Sequence, residues 1–314
     1  MRVLHVDPAT EWRGGQAQLA HLLAGRPGDL LAAVPGSPLA SRTRVPDVPL
    51  HPRNDPRNAL ILRAAASRLG VDLVAAHHSH AHDVSLLVPV PLVVHRRNHR
   101  PPGHAWKYRR TASVIAVSEF VAGLCRDAGI GRVRVVHDGV DGSPVPYRGG
   151  GPRFLGAGAL VEHKGFRHAI AAMHQVDGEL WIAGDGPLRA ELTRIAGPLG
   201  GRVRFLGRVD DLPSLFGMAE VFVHPSVEEA AGSVLIEAMV AGIPVVATTA
   251  GGQPELVGEA GILVPPADPV ALAAALRRPR VRGEGQAQAA RFSVEELVQK
   301  TTRAYEDALS APAR

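Results

Sequence analysis

The chain has a single cysteine, Cys125, in 314 residues, so no disulfide can close within it. This fits a reducing compartment. Aromatic residues make up only 4% of the chain, too few for a platform on which single-stranded nucleic acid would stack. No apolar run approaches the roughly 18 residues that a membrane-spanning helix needs. The most apolar stretch, Val84–Val94, is short and interrupted by Pro89 and Pro91. The opening Met1-Arg-Val-Leu-His-Val6 reads as a first strand. It has neither the long apolar region nor the small-residue cleavage site of a secretory signal.

What is present is ordinary for a soluble globular chain: 46% hydrophobic and 21% charged residues. At roughly 100–200 residues per domain, the length predicts two domains, each able to bury a core without covalent staples. Lys and Arg outnumber Asp and Glu by 35 to 30, a net charge of +5, with a pI near 9.9. Such a balance favours anionic partners such as nucleotides, phosphates or lipid headgroups. A high-arginine background without functional meaning gives the same number.

Short Val/Leu-rich runs alternate with Ala-rich helical stretches. Strands are predicted at Val3–Val6, Leu30–Val34, Asp72–Ala76, Leu92–His95, Ser113–Val117 and Arg134–Val136, with helices at Gln16–Ala24, Asn58–Leu69 and Glu119–Ala128. The Gly- and Pro-rich stretch Asp141–Pro152 marks the predicted linker. The alternation then resumes, with strands at Phe154–Ala157, Glu179–Ala183, Val203–Leu206, Val221–His224, Pro244–Ala247 and Gly261–Val264. Helices are predicted between them at Phe166–Gln175, Pro187–Ile195, Leu212–Met218, Ser233–Val240 and Pro269–Arg277. Arg277–Arg291 reads as irregular, and Val294–Leu309 as an amphipathic helix capped by Ser293, with Glu295 and Glu296 in its first turn. Such alternation predicts α/β architecture with parallel, doubly wound sheets. Ligands then belong beyond the carboxyl ends of the strands, in one cleft if the two sheets face each other.

The richest segment runs from Val221 to Ala247. A strand ends at His224, a loop carries Glu228 and Glu229, and a helix starting near Gly232 and Ser233 carries Glu237. Amide groups at that helix start, with the positive end of its dipole, suit a phosphate. The two carboxylates would hold sugar hydroxyls on one side and ribose hydroxyls on the other. As single features, helix-start acids and a Lys164-Gly165 helix entry are unremarkable.

In combination the sequence resembles a known family, the retaining glycosyltransferases of family 4, with the two-domain GT-B fold. Matching the family's pattern are Lys164-Gly165, Ala183-Gly-Asp-Gly-Pro187, Phe205-Leu-Gly207, Pro225-Ser226, the Glu229/Glu237 pair, Ala241-Gly-Ile-Pro-Val-Val246 and Gly251-Gly-Gln-Pro-Glu255. In the front half Arg13-Gly14-Gly15, Val117-Ser-Glu119 and Val136-His-Asp-Gly-Val-Asp141 resemble further landmarks, with Asp138 where the family usually has Asn. The resemblance implies two Rossmann-like domains facing across a cleft. These would be residues 1–148 on the acceptor side and 149–291 on the donor side, with a C-terminal helix 292–314 packing back toward the first.

It also implies roles. Glu237 would bind the donor ribose and Glu229 the transferred sugar. Lys164 would neutralise the departing pyrophosphate, and Gly14 and Gly15 would let the backbone approach the donor. Gly232 and Ser233 fall at the phosphate-facing helix start. His95, with Arg97 second, would touch sugar or phosphate. Gly184 and Asp185 would lie near the donor base, although a plain turn serves as well. The donor would be a UDP-, GDP- or ADP-type sugar, and the acceptor a glycan, a glycolipid or a small polyol. No cofactor is implied, and no metal, since no Asp-x-Asp motif stands where one is needed. The implied setting is cytoplasmic, at cell-envelope or polysaccharide synthesis and at the inner membrane face if the basic loop 96–110 contacts lipid.

One departure stands out. The family's usual Arg five residues before the pyrophosphate Lys is Ala159 here. Arg13, Arg96 or Arg97 would have to replace it; otherwise the chain is slow or a donor-binding subunit with little activity. The run His77-His-Ser-His-Ala-His82 admits zinc, an acceptor or phosphate contact through His82, or a plain loop. Cys125, among apolar neighbours, reads as core. A nucleotide-sugar epimerase would need other acids, and a nucleic-acid module has only the charge in its favour.

Overall fold

The computed structural model describes residues 1–44, 46–53, 55–278 and 281–310. The chain divides into two compact units: unit 1 is Met1–Gly139 together with the segment from Val294, and unit 2 is Val140–Ser293.

Among the described residues unit 1 holds seven strands: β1 (Val3–Asp7), β2 (Leu30–Ala33), β3 (Val48–Pro49), β4 (Leu73–Ala76), β5 (Leu92–Arg96), β6 (Ser113–Ala116) and β7 (Val133–Val135). They form one sheet in the order β3-β2-β1-β4-β5-β6-β7 with every pair parallel. The short β3 was not expected. Side chains alternate between two cores, as a period of two requires. Leu4, Val6, Val74 and Ala76 meet Leu62 and Ala65 of the helix Arg57–Arg68. Val3, Leu73, Ala75 and Val93 meet Leu22 and, from the helix Val294–Ser310, Leu297 and Tyr305. A strand buried on both faces reads as a continuous apolar run, which is why these strands were legible.

Unit 2 holds β8 (Phe154–Ala157), β9 (Leu180–Ala183), β10 (Val203–Gly207), β11 (Val221–His224), β12 (Val245–Thr248) and β13 (Ile262–Val264). Their order is β10-β9-β8-β11-β12-β13, again all parallel. In both units the winding direction reverses beside the first strand, between β1 and β4 and between β8 and β11. The boundary differs from expectation. The chain passes between units at Gly139–Val140, and the Gly/Pro-rich stretch belongs to unit 2. Val145 N donates to Ala241 O at 3.0 Å and Arg148 N to Gly217 O at 2.7 Å, so that stretch finds its backbone partners on unit 2. The segment expected to be irregular after Arg277 contains a short helix, Gln286–Ala289.

The core of unit 1 is not wholly apolar. Asp29 Oδ2 lies 3.0 Å from His5 Nε2, and His5 Nδ1 lies 2.9 Å from His77 Nε2. His77 stacks on His95 at 4.2 Å between ring centroids, and His95 Nε2 meets the Tyr305 hydroxyl at 2.7 Å. Burial holds all three imidazoles below the ordinary value of 6.5, so they are neutral when folded. The unfolded chain binds their protons first, hence stability is complete above about 6.5 and falls as pH drops below it. Each such histidine adds a slope of up to about 1.4 kcal/mol per pH unit. Urea midpoints should therefore fall between pH 7.5 and 5.5, less steeply in His77→Gln; equal slopes would remove this account.

Candidate functional site

A doubly wound sheet binds ligands where its winding reverses, beyond the carboxyl ends of the strands. In unit 2 that place lies between β8 and β11. After β8 the chain makes a tight turn, Glu162–Lys164, and enters the helix Phe166–Ala172 through Gly165. Gly165 is left-handed (φ 65°), and a Cβ there would stand 2.0 Å from Pro225 O. Only glycine lets this turn lie against the loop that follows β11. Val227 N donates to His163 O at 2.8 Å, which ties the two loops together.

The juncture brings Lys164 and Glu229 into contact. Lys164 Nζ donates to Glu229 Oε2 at 2.5 Å, with the side chains 19% and 12% exposed. Ser226 Oγ donates to the same oxygen at 3.2 Å, and His224 Nε2 lies 3.6 Å from it. Burial works against ionisation of Glu229, but Lys164, through its charge and its hydrogen bond, outweighs it with help from the Ser226 hydroxyl and holds the carboxyl below the ordinary range. The carboxylate is therefore charged.

His224 is held from behind. Gln253 Nε2 donates to Thr248 Oγ1 at 2.7 Å and to Ala250 O at 3.3 Å, which leaves its Oε1 to accept from His224 Nδ1 at 2.9 Å. The Thr248 hydroxyl donates to Ser226 O at 2.5 Å. This network assigns the imidazole proton to Nδ1. Nε2 is left bare, buried and without a hydrogen-bond partner. Burial first, and Lys164 second, push the His224 pKa down to about 4.

Gly232 (φ 95°) starts the helix Ser233–Val240, and a Cβ there would touch Glu229 and His224 at 3.4 Å. Gly232 and Ser233 thus stand beside the Lys164–Glu229 pair. One turn on, Glu237 is half-buried, and its side chain makes no hydrogen bond or ion pair among the described residues. Burial alone raises its pKa to about 7. Gly184 and Asp185 follow β9. A Cβ on Gly184 would meet Gly158 O at 1.9 Å, and Leu160 N donates to Asp185 O at 3.0 Å. Both hold the segment after β8 in place, while the Asp185 side chain is exposed. Ala159 is exposed in that segment.

In unit 1 the reversal point holds the helix start Gly14-Gly15. Gln16 Nε2 donates to Asp7 Oδ2 at 2.8 Å, and His78 Nε2 reaches Asp7 Oδ1 at 2.9 Å. Asp7 was not singled out from sequence and His78 only as a member of the His77–His82 run, although their places at the ends of β1 and β4 mark them. Arg97 comes to Gly15, whose Cβ position lies 3.8 Å from Arg97 Cδ, and Arg97 Nε donates to Asp138 Oδ1 at 3.0 Å.

Two expected contacts are placed otherwise. His95 shares a strand face with Val93, so it turns into the core against Tyr305 and is 2% exposed. The His77–His82 run, left open as ligand or loop, begins the helix Ser79–Ser85, with His78 accepting from Ala81 N. His82 is buried against Tyr108, and burial pushes its pKa down to about 4. Among the described residues no three His, Cys, Asp or Glu side chains gather as a metal site. Cys125 is buried beside Val114 and Ile130, as expected for core.

Residues 17–143 match the family model "Glycosyltransferase Family 4", and residues 151–279 match "Glycosyl transferases group 1". The chain is 32% identical over 185 residues to the lipopolysaccharide core biosynthesis glycosyltransferase LpsE of Rhizobium meliloti, covering 54% of each chain. It is 30% identical over 202 residues to the 2-deoxystreptamine glucosyltransferase of Streptomyces kanamyceticus, covering 55% of this chain and 52% of that one. The chain thus spans about half the length of these curated relatives. Among solved structures, Anabaena HepE in complex with UDP and glucose superposes with a TM-score of 0.80 at 23% identity, over 98% of this chain and 99% of that one. Two family models in succession, on a pair of doubly wound parallel sheets, place the chain: it belongs to the family 4, group 1 glycosyltransferases of the GT-B fold.

Proposed function

We propose that the chain transfers a sugar, with retention of anomeric configuration and without a metal, from a nucleoside-diphosphate sugar held by unit 2. The Lys164–Glu229 contact at the winding reversal carries this reading: it sets a cation and a buried carboxylate where a doubly wound sheet takes its ligand. Lys164 meets the diphosphate, Glu229 takes hydroxyls of the sugar, and Glu237 takes the ribose. The amides at Gly232 and Ser233 face the phosphates. The anomeric carbon–oxygen bond breaks with its electron pair leaving on the diphosphate, which Lys164 stabilises. The acceptor oxygen bonds to the anomeric carbon on the face the nucleotide leaves, and its proton passes to the departing phosphate oxygen. The acceptor is a hydroxyl of a glycan, a lipid-linked sugar or a polyol, and the setting is the cytoplasmic face of cell-envelope synthesis.

Lipid contact would use the turn Ala105–Arg110, where Trp106 is 59% exposed beside Arg109 and Arg110. Sedimentation with anionic vesicles at low salt tests this, and its absence there removes it. Among the described residues no helix is long and apolar enough to cross a membrane.

The donor is tested by thermal shift with UDP, GDP and ADP, UDP first because HepE carries it. A ligand at 100 times its dissociation constant adds about 2.7 kcal/mol. Glu237→Ala should lose most of that gain. If no diphosphate stabilises the wild type, the donor reading falls. Ala159, exposed and uncharged, favours a second reading, a donor-binding subunit that does not catalyse. Diphosphate binding without transfer or hydrolysis of any cognate sugar nucleotide would select it.

A further inference from the structure

We propose that His224 is a positioning residue that replaces Lys164 as the counter-cation of Glu229 when a donor diphosphate draws Lys164 away, so that donor binding takes up a proton at His224 Nε2. The inference rests on the donor reading above.

Glu229 Oε2 has three neighbours: Lys164 Nζ at 2.5 Å, Ser226 Oγ at 3.2 Å and His224 Nε2 at 3.6 Å. Of these only Lys164 carries a positive charge in the unliganded protein. A bare imidazole nitrogen facing a carboxylate oxygen is unfavourable, and the ammonium on that same oxygen offsets it. Lys164 cannot serve a phosphate fully while it neutralises Glu229. Once its charge is shared with the diphosphate, a buried carboxylate is left short of a partner, a state that costs several kcal/mol unless a new one appears. Ser226 already donates. His224 is the remaining group in reach, and Gln253 holds the ring so that Nε2, not Nδ1, meets the incoming proton. With that proton Nε2 becomes a donor toward Glu229 Oε2, and the carboxylate keeps its orientation while the sugar is bound.

The two charged groups facing His224 act in opposite directions. Lys164 is the charge that disfavours the imidazolium and Glu229 the charge that favours it. Withdrawing the first leaves the second unopposed. Phe222 stacks on the ring at 6.3 Å between centroids and carries no charge. Glu237, raised to about 7, also titrates nearby but is common to wild type and variants.

The test is calorimetry of UDP and GDP binding at pH 6 in two buffers of different ionisation enthalpy, which counts protons taken up. Wild type should take up about half a proton to one proton more than His224→Gln. Nitrogen-15 NMR of the imidazoles gives a second readout in the unliganded protein, where Lys164→Gln should raise the His224 titration midpoint by about one unit or more. Binding with equal proton counts in wild type and His224→Gln overturns the inference and leaves the donor reading standing. Failure of every diphosphate to bind overturns the donor reading. A His224 midpoint unmoved by Lys164→Gln overturns the exchange of counter-cations on its own.

Discussion

Lys164→Ala is expected to lower kcat with the cognate sugar nucleotide by about 10²- to 10³-fold, the range for removing one group that stabilises charge developing on a leaving atom. KM should change far less, because the missing interaction is stronger with the departing diphosphate than with the bound donor. Stability should also suffer. The Glu229 side chain is 12% exposed and its carboxylate would lose its cation, which costs up to about 3 kcal/mol. The double variant Lys164→Ala/Glu229→Gln separates the effects: it should recover most of the stability and none of the turnover. Steady-state kinetics beside urea unfolding reads both. A kcat within about fivefold of wild type would remove Lys164 from the chemistry.

Gly251→Ala should be among the most damaging single-methyl additions in unit 2. Its φ is 55°, and a Cβ there would stand 1.7 Å from Glu229 O, a backbone atom that cannot rotate away. The left-handed conformation alone costs roughly 1–2 kcal/mol for a residue with a Cβ. Displacing the Glu229 backbone adds strain typical of overpacking, about 1–3 kcal/mol. Gly200→Ala is the control, since φ is 60° there but nothing lies within 4 Å of the added carbon. Urea midpoints should fall at least twice as far for Gly251→Ala as for Gly200→Ala. Diphosphate affinity should fall only for Gly251→Ala, because Glu229 moves with it. Equal losses in the two variants would mean that the contact yields at little cost.

All strands but the two-residue β3 were legible, most of them because parallel strands buried on two faces become runs rich in Val, Leu, Ile and Ala. The facing of particular side chains was not. His95 was recognised as the end of a strand, but its partner Tyr305 stands 210 positions further on, and no local pattern carries that contact. Lys164 and Glu229 were each recognisable from motif, while their pairing spans 65 positions and depends on the loop after β11 lying between the turn at Gly165 and the loop at Gly251. His224 was seen as a strand end only. Its fixed tautomer depends on Gln253, whose position 29 residues on has meaning only once the helix Gln253–Val257 is formed. The His77–His82 run misled because histidine gives no apolar periodicity, so the short helix it opens left no trace in the pattern. The Gly/Pro-rich stretch reads as a linker by composition, and nothing in composition reveals that its amides bond to unit 2.

The helix Val294–Ser310 adds a temporal order to the architecture. It supplies Leu297 and Tyr305 to the core of unit 1, yet it is made after all of unit 2. During synthesis from the N-terminus, unit 2 has every strand it needs before unit 1 has its last helix. The part of that sheet face which Leu297 and Tyr305 cover therefore stays open until this helix is made, while Leu22 already packs on the rest of it. Strands β1, β4 and β5 thus reach their finished packing only after the whole of unit 2 has been made.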